Sequence, residues 1–338
     1  MVRSMIGRRA LGLGALAGLG LAGATVPARS QAQSQAQSQA WPARPLRLVV
    51  PFAAGTTTDL FGRAIASHLS QALGQSVVVD NRSGAGGNIG VAAVARERPD
   101  GYTMVLGTSG THGVNASLYR DQGYDPVRDF TPVVPFVTAP VVLAVRPELG
   151  AADFAAFLEL ARRRGRPLTF ASAGNGTTGH LSQALVDLRA GVQTVHVPYR
   201  SGAQAVTDLL SGQVDAMFYH FLPLMQHVQD GRLRVLGVTA AQRTTTLPAI
   251  PTMQELGLRD FVVEGWWAIY GPAGMPPEVV DRVNAATNAW LRQPEALATL
   301  GSQGVEPLGG TPQALADRTR AEVAKWRDII RDAGIEPG

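Results

Sequence analysis

Leu46-Arg47-Leu48-Val49-Val50-Pro51-Phe52-Ala53-Ala54-Gly55-Thr56-Thr57-Thr58-Asp59 sets the plan of this chain. Residues 46–52 form a short apolar run rich in β-branched side chains, the pattern of a buried strand. Gly55 breaks the run. Three threonines then lead into Leu60, Phe61, Ala64, Ile65, Leu69 and Leu73, which share one face of a helix. Gly74 stops that helix as a C-terminal glycine does. The N–H groups of the helix's first turn have no intrahelical partner and suit an anion above the strand. Alone, the stretch reads more readily as an ordinary βα connection, with Thr56 and Asp59 forming a capping box.

The same unit recurs along the chain. Residues 77–79 are a second strand and 89–98 a helix, followed by the turn Pro99-Asp100-Gly101 and a third strand over 102–106. This βαβαβ order predicts a parallel sheet with right-handed crossovers. Residues 126–136 read as a less regular connection, 141–145 as a strand. From about residue 152 the pattern restarts, with strands at 168–172, 194–199, 214–219 and 233–239 alternating with helices. A return strand over 261–270 and three helices close the chain. They are too few strands for a third domain and fold back on the first sheet.

Length and composition agree with two lobes. The chain has 338 residues, 45% hydrophobic and 17% charged, a globular balance. It has no cysteine, which excludes disulfides, thiolate metal sites and a catalytic thiol. The net charge of +4 comes from Arg3, Arg8, Arg9 and Arg29, in a leader with no acidic residue; without those four, 26 basic residues face 26 acidic ones. No nucleic-acid partner follows from charge. Arg8-Arg9 precedes a glycine-diluted apolar run, and Val26-Pro27-Ala28 offers a small-residue cleavage site. Residues 1–40 therefore read as a signal peptide of the twin-arginine kind with a Ser/Gln/Ala tether, and the protein as exported and soluble.

Four strand-end turns share one character: 53–58, 108–112, 173–178 and 200–204. Each is built mainly from Gly, Ser, Thr, Ala or Asn, with His112 closing the second and Arg200 and Gln204 at the edges of the last. In open α/β sheets such turns lie at the carboxyl edge, where ligands bind. Four of them on two lobes predict a cleft lined by N–H groups and hydroxyls. Gly84-Ala85-Gly86-Gly87-Asn88-Ile89-Gly90 fails the dinucleotide spacing, because Ile89 stands where the third glycine belongs. Among the histidines, no pair has zinc-protease spacing and no serine elbow is present, so neither a metal nor a catalytic triad is expected. His68 and His227 read as exposed helix positions and His196 as a strand residue, whereas His112 and His180 lie beside cleft turns. Trp266, Trp267 and Tyr270 either wall the cleft or pack where the chain crosses between lobes.

These motifs together resemble the substrate-binding proteins of tripartite tricarboxylate transporters, the Bug-type periplasmic receptors. The resemblance rests on residues 41–52, on Asp80-Asn81-Arg82-Ser83-Gly84-Ala85-Gly86-Gly87-Asn88-Ile89-Gly90, and on Pro99-Asp100-Gly101-Tyr102-Thr103. It extends to Ala171-Ser172-Ala173-Gly174-Asn175-Gly176, His196-Val197-Pro198-Tyr199-Arg200, residues 209–215 and Gly271-Pro272-Ala273-Gly274. It implies an α/β fold of two lobes, the type II periplasmic-binding-protein (Venus flytrap) fold, each lobe a mostly parallel sheet flanked by helices. The lobes divide as 41–141 plus 265–338, and 142–264. It further implies a monomeric, non-catalytic receptor without cofactor that captures a small mono-, di- or tricarboxylate and delivers it to membrane permease subunits. The alternatives are a receptor that presents its ligand to a membrane sensor kinase, and a periplasmic enzyme. Carried over by position, the ligand-binding candidates are Phe52, Gly55, Thr56, Thr57, Thr58 and Asp59, then Ser109, Thr111 and His112. The second lobe adds Ala173, Asn175, Gly176 and Thr177, with Gly202, Ala203 and Gln204. Two departures bear on ligand identity. Ala54 and Thr56 replace the proline and second glycine of the family's Phe-x-Pro-Gly-Gly loop, and Tyr219-His220-Phe221-Leu222 replaces an acidic or Asn-containing turn.

Overall fold

A computed structural model describes residues 41–335 other than 245, 246 and 303. The expected leader and tether, residues 1–40, lie outside the described residues. The first sheet is begun by β1 (Leu46–Val50), α1 (Thr57–Leu73), β2 (Val77–Asn81), α2 (Asn88–Ala95) and β3 (Thr103–Thr108). A π-helical turn, Gly110–Val114, runs into the short α3 (Asn115–Leu118), and β4 (Phe130–Val145) follows. The second sheet is built by α4 (Phe154–Arg163), β5 (Leu168–Ser172), α5 (Thr178–Ala190), β6 (Thr194–Pro198), α6 (Gly202–Ser211), β7 (Ala216–His220), α7 (Met225–Gln229) and β8 (Arg234–Val238). The chain returns through β9 (Glu264–Pro272), α8 (Pro277–Leu291), α9 (Pro294–Ser302), β10 (Glu306–Pro307) and α10 (Pro312–Asp332).

Strands run in the order β2-β1-β3-β9-β4-β7-β5-β6, with β8 and β10 also on β4. The triplets β2-β1-β3 and β7-β5-β6 are parallel, as the βαβ spacing predicts, while β4 and β9 join them antiparallel. Each lobe is thus a parallel triplet bordered by antiparallel strands.

The stretch 126–136, expected to be irregular, is largely strand. Pro132 and Pro135 interrupt its sequence pattern, and β-bulges between Pro132 and Val134 and between Pro135 and Val137 absorb them. As one continuous strand, β4 pairs with β9 as far as Pro140 and with β7 from Val141 onward. It passes from one sheet to the other within one residue.

Alternation along the strands gives each sheet two buried faces. In β4, Leu143 and Val145 join Phe154, Phe170, Leu181 and Phe218, while Val142 and Ala144 join Val206, Leu209 and Met217. In the first sheet, Leu48 and Leu106 pack with Phe61, Leu69 and Val283, while Val49 and Val105 pack with Val91, Tyr270 and Leu315. The last helix belongs to both cores. Leu315 packs on the first sheet, whereas Trp326 and Ile330 are buried with Phe154 and Phe261 of the second. The C-terminal half of α10 therefore does not sit on the first lobe alone.

Candidate ligand-binding cleft

The turns after β1 and β5 share one backbone plan. Gly55 and Gly176 adopt φ of +81° and +74°, a region open chiefly to glycine. The next residues, Thr56 and Thr177, are extended N-caps with φ/ψ of −77°/162° and −72°/158°. Each threonine hydroxyl donates back to the carbonyl three residues earlier, Ala53 at 2.8 Å and Gly174 at 2.7 Å. Each glycine N–H is then taken by the side chain four residues on. Gly55 donates to Asp59 Oδ2 at 2.8 Å and Gly176 to His180 Nδ1 at 3.2 Å. The expected capping box is therefore displaced by one residue. Thr56 does accept from Asp59 N at 3.4 Å, but the carboxylate reaches past Thr56 to the glycine. A third turn is capped by Ser201, which accepts from Gln204 N at 3.3 Å at the start of α6.

The first turns of α1, α5 and α6 open into one cavity of about 500 Å³. Every candidate from the sequence lines it except Asp59, Thr111, His112 and Gln204. Arg200, exposed at the rim, is the one formally charged residue on its wall among the described residues. Thr108, Asn115 and Trp267 also line it, as do Tyr219, His220, Leu222 and Pro223 at the carboxyl end of β7.

The four exceptions have structural employment instead. Asp59 is 2% exposed, and its carboxylate is taken up by Gly55 N, Arg63 Nε at 3.0 Å and Asn81 Nδ2 at 2.9 Å. Burial alone would raise its pKa, but the bonds from Arg63, Gly55 and Asn81 outweigh it and hold the carboxyl below the usual range. Thr111 points inward, accepting from Thr108 N at 3.0 Å and meeting His112 Nδ1 at 3.0 Å. The His112 ring stacks on Tyr270 at 3.9 Å, and complete burial pulls its pKa to about 3. The π-helical turn rotates both residues away from the cleft. Gln204 is exposed, and its backbone N–H serves the Ser201 cap.

The end of β7 was legible by the same carboxyl-edge rule but reads in sequence as core strand. Its His220 is held neutral: burial pulls its pKa to about 4, Nδ1 has no protein partner, and the ring lies 5.5 Å from Trp267. Of the three aromatic residues left open by sequence, Trp267 lines the cavity and donates from Nε1 to Thr58 Oγ1 at 3.0 Å. Trp266 and Tyr270 are core residues against α10.

Known proteins share this fold. The family described as "Tripartite tricarboxylate transporter family receptor" matches residues 61–335. Protein BugT of Bordetella pertussis is 34% identical over 297 residues, covering 88% of this chain and 91% of BugT. The solved structure of R. palustris Rpa4515 with adipate has a TM-score of 0.82 at 38% identity, covering 88% of this chain and all of that one. MatC (Rpa3494) from Rhodopseudomonas palustris, with bound malate, has a TM-score of 0.77 at 31% identity, covering 86% and 99%. The chain belongs to the receptor family of the tripartite tricarboxylate transporters, with that family's two-lobed fold.

Proposed function

We propose that this protein is an exported, non-catalytic receptor whose cleft closes on a small mono- or dicarboxylate and presents it to the permease subunits of a tripartite tricarboxylate transporter. One observation carries the reading: helix first turns from both sheets open into a single cavity with one formally charged residue on its wall among the described residues. Helix N-termini favour anions, and neutral donors held in place need no ion pair. A hydrogen bond to a charged group contributes about 1.5–3 kcal/mol net. A handful of them reaches the roughly 8 kcal/mol of micromolar binding. The adipate and malate in the two similar structures support a dicarboxylate.

The lobes divide where β4 passes between the sheets and where the chain re-enters the first sheet at β9, as 41–141 plus 265–338 and 142–264, with α10 spanning both. Closure bends β4 near Pro140, and the working unit is a monomer. The Arg8-Arg9 leader is the export address. Native mass spectrometry of the purified protein tests the reading: a retained small carboxylic acid is expected, and small-angle scattering should show a smaller radius with that acid than after its removal. Retention of another chemical class, or an identical profile at saturation, contradicts it.

A further inference from the structure

The turn after β5 is braced from behind by two stacked imidazoles. His180 and His196 lie face to face, with ring centroids 3.9 Å apart and planes inclined by 11°. His180 Nδ1 accepts from Gly176 N–H. His196 Nε2 meets Ser172 Oγ at 2.6 Å. The Ser172 hydroxyl also accepts from Gly174 N at 3.1 Å and donates to Gly174 O at 3.0 Å. A hydroxyl has one donor and two acceptor sites, so this set closes when His196 carries its proton on Nε2. The 2.6 Å contact is therefore a brace for the turn, with Ser172 fully buried.

We propose that His180 and His196 are positioning residues for the ligand-binding turn 173–177, and that protonation of His180 releases this turn while the Asp59-held turn of the first sheet keeps its shape. The effect on ligand affinity rests on the function proposed above; the effect on the turn does not.

The chemistry of the acceptors carries the asymmetry. The Gly176 bond needs the lone pair on His180 Nδ1, and an imidazolium offers only donors. Asp59 offers Gly55 a carboxylate that stays ionised in mild acid, backed by Arg63 and Asn81. A cation in the first turn of α5 also opposes the helix dipole, whereas an anion in the first turn of α1 is favoured. Burial lowers the pKa of His180, and it lowers that of His196 to about 4 with a further contribution from His180. A proton on His180 Nδ1 is the one that breaks the Gly176 bond, because that atom is the acceptor. Solvent reaches the pair from behind the cleft through a separate pocket of about 330 Å³. Among the described residues, the other titratable groups on that pocket are Asp187 and Asp332. Asp187 accepts from Thr194 and Gln183, and burial raises its pKa; Asp332 pairs with Arg331 at 2.9 Å.

Nuclear magnetic resonance of the full chain without ligand, with labelled glycine and histidine, tests this between pH 7.5 and 4.5. The Gly176 amide should shift with the midpoint of the His180 ring while the Gly55 amide stays in place. In His180→Asn, whose Oδ1 takes the place of Nδ1 and does not titrate, the Gly176 shift should vanish. A Gly176 amide flat with pH in the wild type overturns the proposal, as does the same titration in His180→Asn; the wild type alone decides if the variant fails to fold. With adipate as probe, the wild type should lose about tenfold more affinity from pH 7 to pH 5 than His180→Asn. Equal losses overturn the link to binding. If adipate binds neither protein, the proposed function is at fault, and the amide titration still judges the brace.

Discussion

The turns after β1 and β5 follow the same path and differ in the group that holds the glycine. One is fixed by a carboxylate backed by an arginine and an asparagine, the other by a neutral imidazole backed by a second imidazole. Both solutions leave the N–H groups of a helix's first turn facing the cleft. The comparison teaches that anion binding here depends on what stands behind each turn as much as on its wall. Two acceptors of different chemistry also give the two lobes different tolerances to acid.

The largest effect expected is therefore that of pH on stability. Burial pulls His112, His196 and His220 from 6.5 to about 3, about 4 and about 4. The unfolded chain takes up protons near pH 6.5 and the folded chain does not. Their contribution to stability is complete above pH 6.5 and is lost as pH falls toward 4, by several kcal/mol in total. Urea unfolding midpoints should drop steadily across that window, before most carboxylates titrate. A midpoint constant from pH 6.5 to 5 would show that these rings are not held neutral.

The two glycines come next. A Cβ on Gly176 would lie 2.3 Å from Leu118 Cδ2, whose side chain is itself buried, and would add left-handed strain. Gly176→Ala should cost about 2–4 kcal/mol from overpacking and backbone together. Gly55 has nothing within 4 Å of that position, so Gly55→Ala should cost only about 1 kcal/mol. Denaturant titration of both variants checks the ranking; equal losses would mean that the α3 contact does not constrain the second turn.

Exchanging the acceptors separates them further. Asp59→Asn removes a charged acceptor shared by Gly55 and Arg63 and should cost about 1.5–3 kcal/mol at pH 7. His180→Asn keeps a neutral acceptor and should cost under about 1 kcal/mol at pH 7, with a gain over wild type near pH 5. Thermal melts at the two pH values distinguish the outcomes. A larger loss for His180→Asn than for Asp59→Asn at pH 7 would reverse the roles given to the two acceptors.

Much of this was written in the sequence. The strand, glycine, threonine and helix of residues 46–73 announce the first turn, and residues 168–191 repeat it. Three features were hidden for physical reasons. Pro132 and Pro135 disguise a strand because bulges let it continue past them. Thr111 and His112 sit in sequence beside a cleft turn, but a π-helical turn directs them into the core. Tyr219 and His220 stand out in sequence as a departure from the family's turn, but they end a strand whose other residues are buried, so residue type alone does not put them on the cleft wall. The brace formed by His180 and His196 joins residues 16 positions apart and depends on β5–β6 pairing, which periodicity alone does not specify.

The smallest effect expected is also the most telling. If neutral donors hold the ligand, removing the only formal charge on the described wall should matter little, and so should screening by salt. Calorimetric titration of adipate into wild type and Arg200→Ala, at low and high salt, measures this directly. Dissociation constants in the micromolar range that agree within about threefold across all four titrations are predicted, since no ion pair is lost. Binding that disappears in Arg200→Ala, or that falls more than about tenfold with salt, would show that the cleft holds its ligand by an ion pair.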